Sequence, residues 1–240
     1  MSRVAIVTGA GSGIGRASSL RLQEDGMTVI ALDINVEAAA AASPNALALD
    51  VSDATQVADV MGEVLRRWPR IEVLVNNAGI TGSAQATTAH ETPVEEFDRV
   101  MAVNVRGPFL CSRAVLPSMI AAGSGHIITI ASAAGIVAFP GRCAYTTSKG
   151  AALQLARSIA VDYGSMGIRS NAICPGMVET PMTQWRLDQP ELRDRTENQI
   201  PMGRVARPAE IADVVSVLAS GRMGYANGAA LVIDGGWTAW

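Results

Sequence analysis

The chain has 240 residues, 49% hydrophobic and 17% charged, with a formal net charge of -3 at pH 7. That length and apolar fraction suit one large α/β domain, and a slightly acidic chain with scattered Lys and Arg has no basic footprint for nucleic acid. Cys111, Cys143 and Cys174 form no CxxC pair and His90 and His126 stand alone, so neither a disulfide framework nor a metal site is expected.

Residues 4–7 read as a strand buried on both faces, followed by a glycine turn and an amphipathic helix over 13–25. Strands at 27–32, 45–49 and 71–75 then alternate with helices at 36–42 and 53–67. Residues 95–122 read as helix with a break near Gly107-Pro108. A strand at 127–131, a helix at 144–163 and a strand at 169–173 follow. Pro208 suits the first turn of a helix reaching 219, and 230–233 is the last strand. Apolar strands separated by amphipathic helices predict a doubly wound, Rossmann-like parallel sheet of about seven strands with helices on both faces. The segment 176–207, with Pro181, Pro190 and Pro201, breaks the rhythm. It reads as a substrate lid at a ligand-binding edge, or as a surface helical excursion. No apolar run approaches the ~18 residues of a membrane span, and no charged region precedes a long apolar stretch. Neither a membrane partner nor a leader is expected, and the cytoplasm is the default compartment.

The turn Thr8-Gly9-Ala10-Gly11-Ser12-Gly13-Ile14-Gly15 follows a strand and opens a helix. A pyrophosphate needs backbone N–H groups and the positive end of a helix, with no side chains in the way. Asp33 ends the second strand, 18 residues after Gly15. A carboxylate there can accept from the adenosine ribose hydroxyls and would repel a 2′-phosphate. Ile34 follows it where a basic residue would have helped NADP, so NAD is favoured over NADP, with Arg16 pulling slightly the other way. Read alone, Asp33 is also a helix N-cap or turn aspartate.

Tyr145 and Lys149 are four residues apart on a predicted helix and share one face. A tyrosine needs its pKa lowered by about three units, roughly 4 kcal/mol, to act near neutrality. An ammonium about 4 Å away at an effective dielectric of ~20 supplies that much. Tyr145 could then trade a proton with a substrate oxygen. Ser132, just past the fifth strand, could hydrogen-bond that oxygen as charge develops. With a dinucleotide seat upstream, this suggests hydride transfer between a nicotinamide and a carbon–oxygen centre.

Over essentially its whole length the chain resembles the short-chain dehydrogenase/reductase family. The matching residues are Thr8 to Gly15, Asn76-Asn77-Ala78-Gly79, Asn104, Ser132, Tyr145, Lys149, Pro175-Gly176 and Asp234-Gly235-Gly236. The resemblance implies an NAD-dependent dehydrogenase of secondary alcohols or ketones with Asn104, Ser132, Tyr145 and Lys149 as the catalytic set. Asn104 would hold a water linking Lys149 to solvent. The implied cofactor-binding set is Gly9, Ser12, Gly13, Ile14, Gly15, Asp33, Ile34, Asp50, Val51, Asn77, Ala78, Gly79, Tyr145, Lys149, Pro175, Gly176, Val178 and Thr180. The helix at 36–42 is shorter than the family usually carries. Read alone, Asn76-Asn77 is also an ordinary turn and Pro175-Gly176 a strand terminator.

The expected substrate pocket combines Ser132 and Tyr145 with an apolar wall of Ala134, Val137, Met177, Met182 and Trp185. It offers no cation for a carboxylate unless Arg186 folds inward, so a small or medium ketone or secondary alcohol is expected. A carrier-protein-linked 3-oxoacyl reductase is the alternative. A nucleotide-binding protein that lost catalysis is a third reading, of a different class. The family's paired helices and the apolar end 236–240 point to a homotetramer.

Overall fold

The apolar run after Arg3 forms β1 (Val4–Thr8), buried along its whole length, as a strand covered by helices on both faces must be. In the computed structural model, which describes residues 2–239, it is followed by α1 (Gly13–Glu24), β2 (Thr28–Asp33), α2 (Val36–Ala40) and β3 (Asn45–Ala48). Then come α3 (Ala54–Arg67), β4 (Val73–Asn76), α4 (Val94–Met101), α5 (Gly107–Ala122) and β5 (Gly125–Ile130). The chain closes with α6 (Cys143–Tyr163), β6 (Ile168–Pro175), α7 (Pro181–Leu187), α8 (Pro190–Glu197), α9 (Pro208–Ala219) and β7 (Ala230–Ile233).

The seven strands form one sheet in the order β3-β2-β1-β4-β5-β6-β7, every pairing parallel. One face packs on α3, α5 and α6 through residues such as Met61, Val115 and Ile159. The other packs on α1 and α9 through Leu22, Ile211 and Val215. The strand order reverses between β1 and β4, which opens a crevice at the carboxyl ends of the strands. This is the doubly wound architecture that the alternating pattern predicts.

Two differences from the sequence reading have physical causes. Gly107-Pro108 does not break the helix. Instead the turn widens into a π-helical stretch, Ala102–Arg106, where Gly107 N–H reaches back to the Ala102 carbonyl. Pro108 has no N–H to give the Asn104 carbonyl four residues earlier, and the wider turn absorbs that loss. The segment 176–207 takes the helical form among its two readings: it carries α7 and α8, each opened by a proline in its first turn. Strand β6 runs on to Pro175 because its last residues pair with β7.

A buried polar network fastens the opposite end of the sheet. His126 is 2% exposed. Its Nδ1 donates to the Leu218 carbonyl at 3.0 Å and its Nε2 accepts from Asn171 Nδ2 at 2.9 Å. The Asn171 amide is itself fixed, donating to the Ala226 carbonyl and accepting from Ala229 N–H. A second ring proton would therefore face a donor, with Arg169 and Arg3 also nearby. Burial first, then the two arginines, push the imidazole down to about 3. The unfolded chain takes up this proton near pH 6.5 and the native chain does not. Stability should thus fall by ~1.4 kcal/mol per pH unit as pH drops below 6.5, flattening near 3. Urea unfolding at pH 7 and pH 5 should show this slope in the native sequence and lose it in His126→Gln; parallel behaviour of the two proteins would contradict it.

Candidate active site

The turn after β1 is built by close approach. A Cβ on Gly9, whose φ is +64°, would sit 2.8 Å from Ala78 Cα, and one on Gly15 would sit 2.0 Å from the Gly9 carbonyl oxygen. Only glycine fits either position. Asn77 holds the turn to the end of β4. Its Nδ2 donates to the Thr8 and Gly9 carbonyls at 2.9 and 3.1 Å. Thr8 Oγ1 accepts from the backbone N–H groups of Asn77 and Ala78. A Cβ on Gly13, at φ +50°, would sit 3.1 Å from Thr180 Cγ2.

A cleft of about 540 Å³ runs over this turn. One end is lined by Asp33, Ile34, Asp50 and Val51, the middle by Gly9, Ser12, Gly13, Ile14, Asn77, Ala78 and Gly79, and the other end by Ser132, Tyr145 and Lys149. Pro175, Gly176, Val178, Thr180 and Met182 complete the wall on the β6 side. The Asp33 carboxylate accepts from Gly11 N–H at 2.8 Å and Asn35 N–H at 2.9 Å. Each oxygen keeps a lone pair for a further donor. Arg16 is exposed and outside the cleft lining.

At the far end, Ser132 begins the short 3₁₀ turn after β5, its Oγ accepting from Ala134 N–H. Tyr145 lies in the first turn of α6, half-buried, with its hydroxyl in the enclosed part of the cleft. Lys149, one turn on, is 5% exposed. Its Nζ donates to the Ile130 carbonyl at 2.8 Å and lies over the Tyr145 ring, 5.7 Å from its centre. Burial pushes the Tyr145 phenol up; the Ser132 hydroxyl and then the Arg142 charge oppose it. Burial likewise brings the Lys149 ammonium down to about 8. Arg142, a residue the sequence reading passes over, thus also acts on the phenol, and the Lys149 ammonium lies over its ring.

Asn104 sits behind this pair. Its Oδ1 accepts from Ile80 N–H at 2.8 Å. Its Nδ2 donates to the Ile80 carbonyl and to Ser148 Oγ, and Ser148 Oγ donates to the Tyr145 carbonyl. Both Nδ2 hydrogens and one lone pair of Oδ1 are thus engaged within the protein. Ser148 is a bracing residue that sequence pattern alone does not single out.

A family model described as enoyl-(acyl carrier protein) reductase matches residues 9–238. A 2-(R)-hydroxypropyl-CoM dehydrogenase from Xanthobacter autotrophicus is 54% identical, with 100% of each chain covered. A 3-oxoacyl-[acyl-carrier-protein] reductase from Thermotoga maritima is 37% identical over 98% of this chain and 97% of its own. Among solved structures, a candidate NAD(P)-dependent gluconate 5-dehydrogenase from Beutenbergia cavernae, holding NADP at low occupancy, superposes with a TM-score of 0.91. It is 35% identical over 99% of this chain and 97% of its own. The chain belongs to the short-chain dehydrogenase/reductase family. It is an oxidoreductase that moves hydride between a nicotinamide cofactor and an alcohol or ketone carbon.

The cradle fits that cofactor: side chains at Gly9 and Gly15 would strike the backbone of the turn and of its β4 neighbour. Two members of the expected sets stand behind the cleft rather than on it, Gly15 inside the turn and Asn104 against Gly79. Of the expected apolar wall, Met182 lines the cleft. Met177 packs instead on Leu187, Ile200 and Val205, and Ala134 is buried in the 3₁₀ turn. Val137 and Trp185 are exposed at the mouth, 38% and 52%. Arg186 turns away from the site, its Nε donating to Thr196 Oγ1. Arg142 lies over the Trp185 ring, 5.7 Å from its centre, and its charge bears on Tyr145.

A carboxylate in place of the Asn77 amide would face two carbonyl oxygens with no hydrogen to give them. Asn77→Asp is expected to lower stability by about 2 kcal/mol and to weaken NADH binding. Urea midpoints and NADH fluorescence measure both; wild-type values for each would contradict the bracing role.

Proposed function

We propose that this protein is an NAD-preferring dehydrogenase of small secondary alcohols, with Tyr145 as the general acid–base. The observation that carries this reading is the convergence of Ser132, Tyr145 and Lys149 at one end of a cleft whose other end presents a carboxylate, Asp33. Gly9, Ser12, Gly13, Ile14 and Asn77 to Gly79 would hold the pyrophosphate and its flanks, and Asp50 and Val51 the adenine. Val178 and Thr180 would hold the carboxamide, and Lys149 the nicotinamide ribose. When bound, the cofactor supplies the hydride acceptor and a positive charge beside Tyr145. In oxidation Tyr145 accepts the proton leaving the alcohol oxygen, and in reduction it returns one. Ser132 donates to that oxygen and orients it. Lys149 favours the ionised tyrosine, and the Asn104 carbonyl would hold the water through which Lys149 exchanges protons with solvent.

Arg142 bears on substrate choice. A cation beside Tyr145 favours substrates with a negative group remote from the carbinol carbon. Hydroxypropyl-CoM, a secondary alcohol with an anionic sulfonate tail, is such a compound and is named for the Xanthobacter relative. Reduction of a 3-oxoacyl thioester is the second reading, favoured by the Thermotoga relative. Asp33 weighs against it, because a carboxylate at that position repels the phosphate of NADPH. The segment 176–207, with α7 and α8, would act as the lid. Exposed Phe109, Ile120 and Val161 on α5 and α6 support a homotetramer; Trp240, part of the apolar end behind that expectation, lies outside the described residues. The site implies no nucleic-acid partner. No described helix is long and apolar enough to cross a membrane, and the proposed compartment is the cytoplasm.

NADH formation at 340 nm over a panel of secondary alcohols, hydroxypropyl-CoM included, tests the reading. Turnover should prefer NAD over NADP by tenfold or more and fall by 10²–10⁴ in Tyr145→Phe. Turnover that survives in Tyr145→Phe, or a preference for NADP, would overturn it.

A further inference from the structure

Arg99 lies on the wall of the cleft yet has no part in the mechanism above. It belongs to α4, on the helix face that also carries Val103 and Gly107. That face is turned toward the segment after β3: a Cβ on Gly107 would sit 2.8 Å from Val51 Cγ2. Residues 99 and 103 continue the same stripe, four residues apart, and both line the cleft. Arg99 and Val103 line the same cleft as Val51, Ser52, Asp33 and Asp50.

The guanidinium is held in one plane. Its Nε donates to Glu96 Oε2 at 2.9 Å and its Nη2 to Glu96 Oε1 at 2.8 Å. Glu96 is 8% exposed and also accepts from Ser83 N–H, so the carboxylate is anchored independently of Arg99. The Arg99 hydrogen bonds, followed by the Ser83 N–H, hold it down to about 2, fully ionised at working pH. Among the described residues the remaining Arg99 N–H groups take no acceptor, and the side chain is half-exposed. A fixed, planar, half-solvated cation is suited to stacking on a flat, electron-rich heterocycle. We propose that Arg99, oriented by Glu96, stacks on the adenine of the nicotinamide dinucleotide and closes the adenosine half of the cleft.

The proposal rests on the dinucleotide reading of the site, and binding measurements separate the two. Kd for NADH comes from its fluorescence; ADP-ribose and nicotinamide mononucleotide are then measured by displacement. Arg99→Ala should weaken ADP-ribose on the order of tenfold and change nicotinamide mononucleotide by less than twofold. Arg99→Lys keeps the charge without the plane and should lose as much as Arg99→Ala. ADP-ribose affinity within twofold of wild type in Arg99→Ala would overturn the contact. Equal losses for both fragments, or full recovery with lysine, would overturn stacking on the adenine. A wild-type protein that fails to bind NADH would instead sink the dinucleotide reading itself.

Discussion

Between β1 and β4 the backbone at Gly9 passes so close to Ala78 that a methyl group would meet its Cα at 2.8 Å. The rest of the site depends on this contact. It lets Asn77 reach the Thr8 and Gly9 carbonyls and lets Thr8 Oγ1 receive the N–H groups that begin the next segment. The turn is thereby locked to a strand that belongs to the other half of the sheet. The N-terminal end of α1 then faces the crevice, where a helix end and free backbone N–H groups suit an anion. A parallel sheet with a reversal in strand order creates the crevice; the glycines make it deep enough to use.

From that anchor the geometry extends to the chemistry through short, buried links. Asn104 ties the segment after β4 to α6 through Ile80 and Ser148, and Ser148 reaches the carbonyl of Tyr145 itself. The result is a phenol and an ammonium that are both withdrawn from water. Burial alone works against catalysis here, since it disfavours tyrosinate and loosens the lysine's hold on its proton. On the proposed acid–base reading, the phenol would stay protonated until a further positive charge arrives. A unit charge within a few ångströms at an effective dielectric of ~20 is worth about 4 kcal/mol, enough to reverse the preference. Proton transfer would in this way be coupled to occupancy by the oxidised cofactor.

Much of this is legible in the sequence because it rests on local period and composition. Gly9, Gly13 and Gly15 after an apolar run, Asp33 at the end of the next, and Tyr145 and Lys149 one helical turn apart each need only spacing to be seen. The parallel, doubly wound sheet follows from the alternation of β and α. What is hidden depends on contacts distant in sequence or on competing signals. Pro108 reads as a helix break, whereas packing carries the helix through it as a π turn that presents Asn104. Asn77 reads as a cofactor neighbour, yet its amide is spent on holding the turn. Met177 looks like pocket wall by position, but the residues of α7 and the segment before α9 cover it. Arg142 and Arg99 give no sequence signal at all, since a lone arginine is usually solvated. Their placement becomes visible only when Trp185 and Glu96 are brought beside them.

The coupling between cofactor charge and tyrosine ionisation can be read directly from the phenolate absorbance near 295 nm. Titrating the protein alone, with NAD⁺ and with NADH, and subtracting Tyr145→Phe, isolates one of three tyrosines. The account predicts that Tyr145 ionises above its ordinary range of about 10 in the free protein, and two to three pH units lower with NAD⁺. With the uncharged ring of NADH the shift should be much smaller. Ionisation at the same pH in all three states would contradict it.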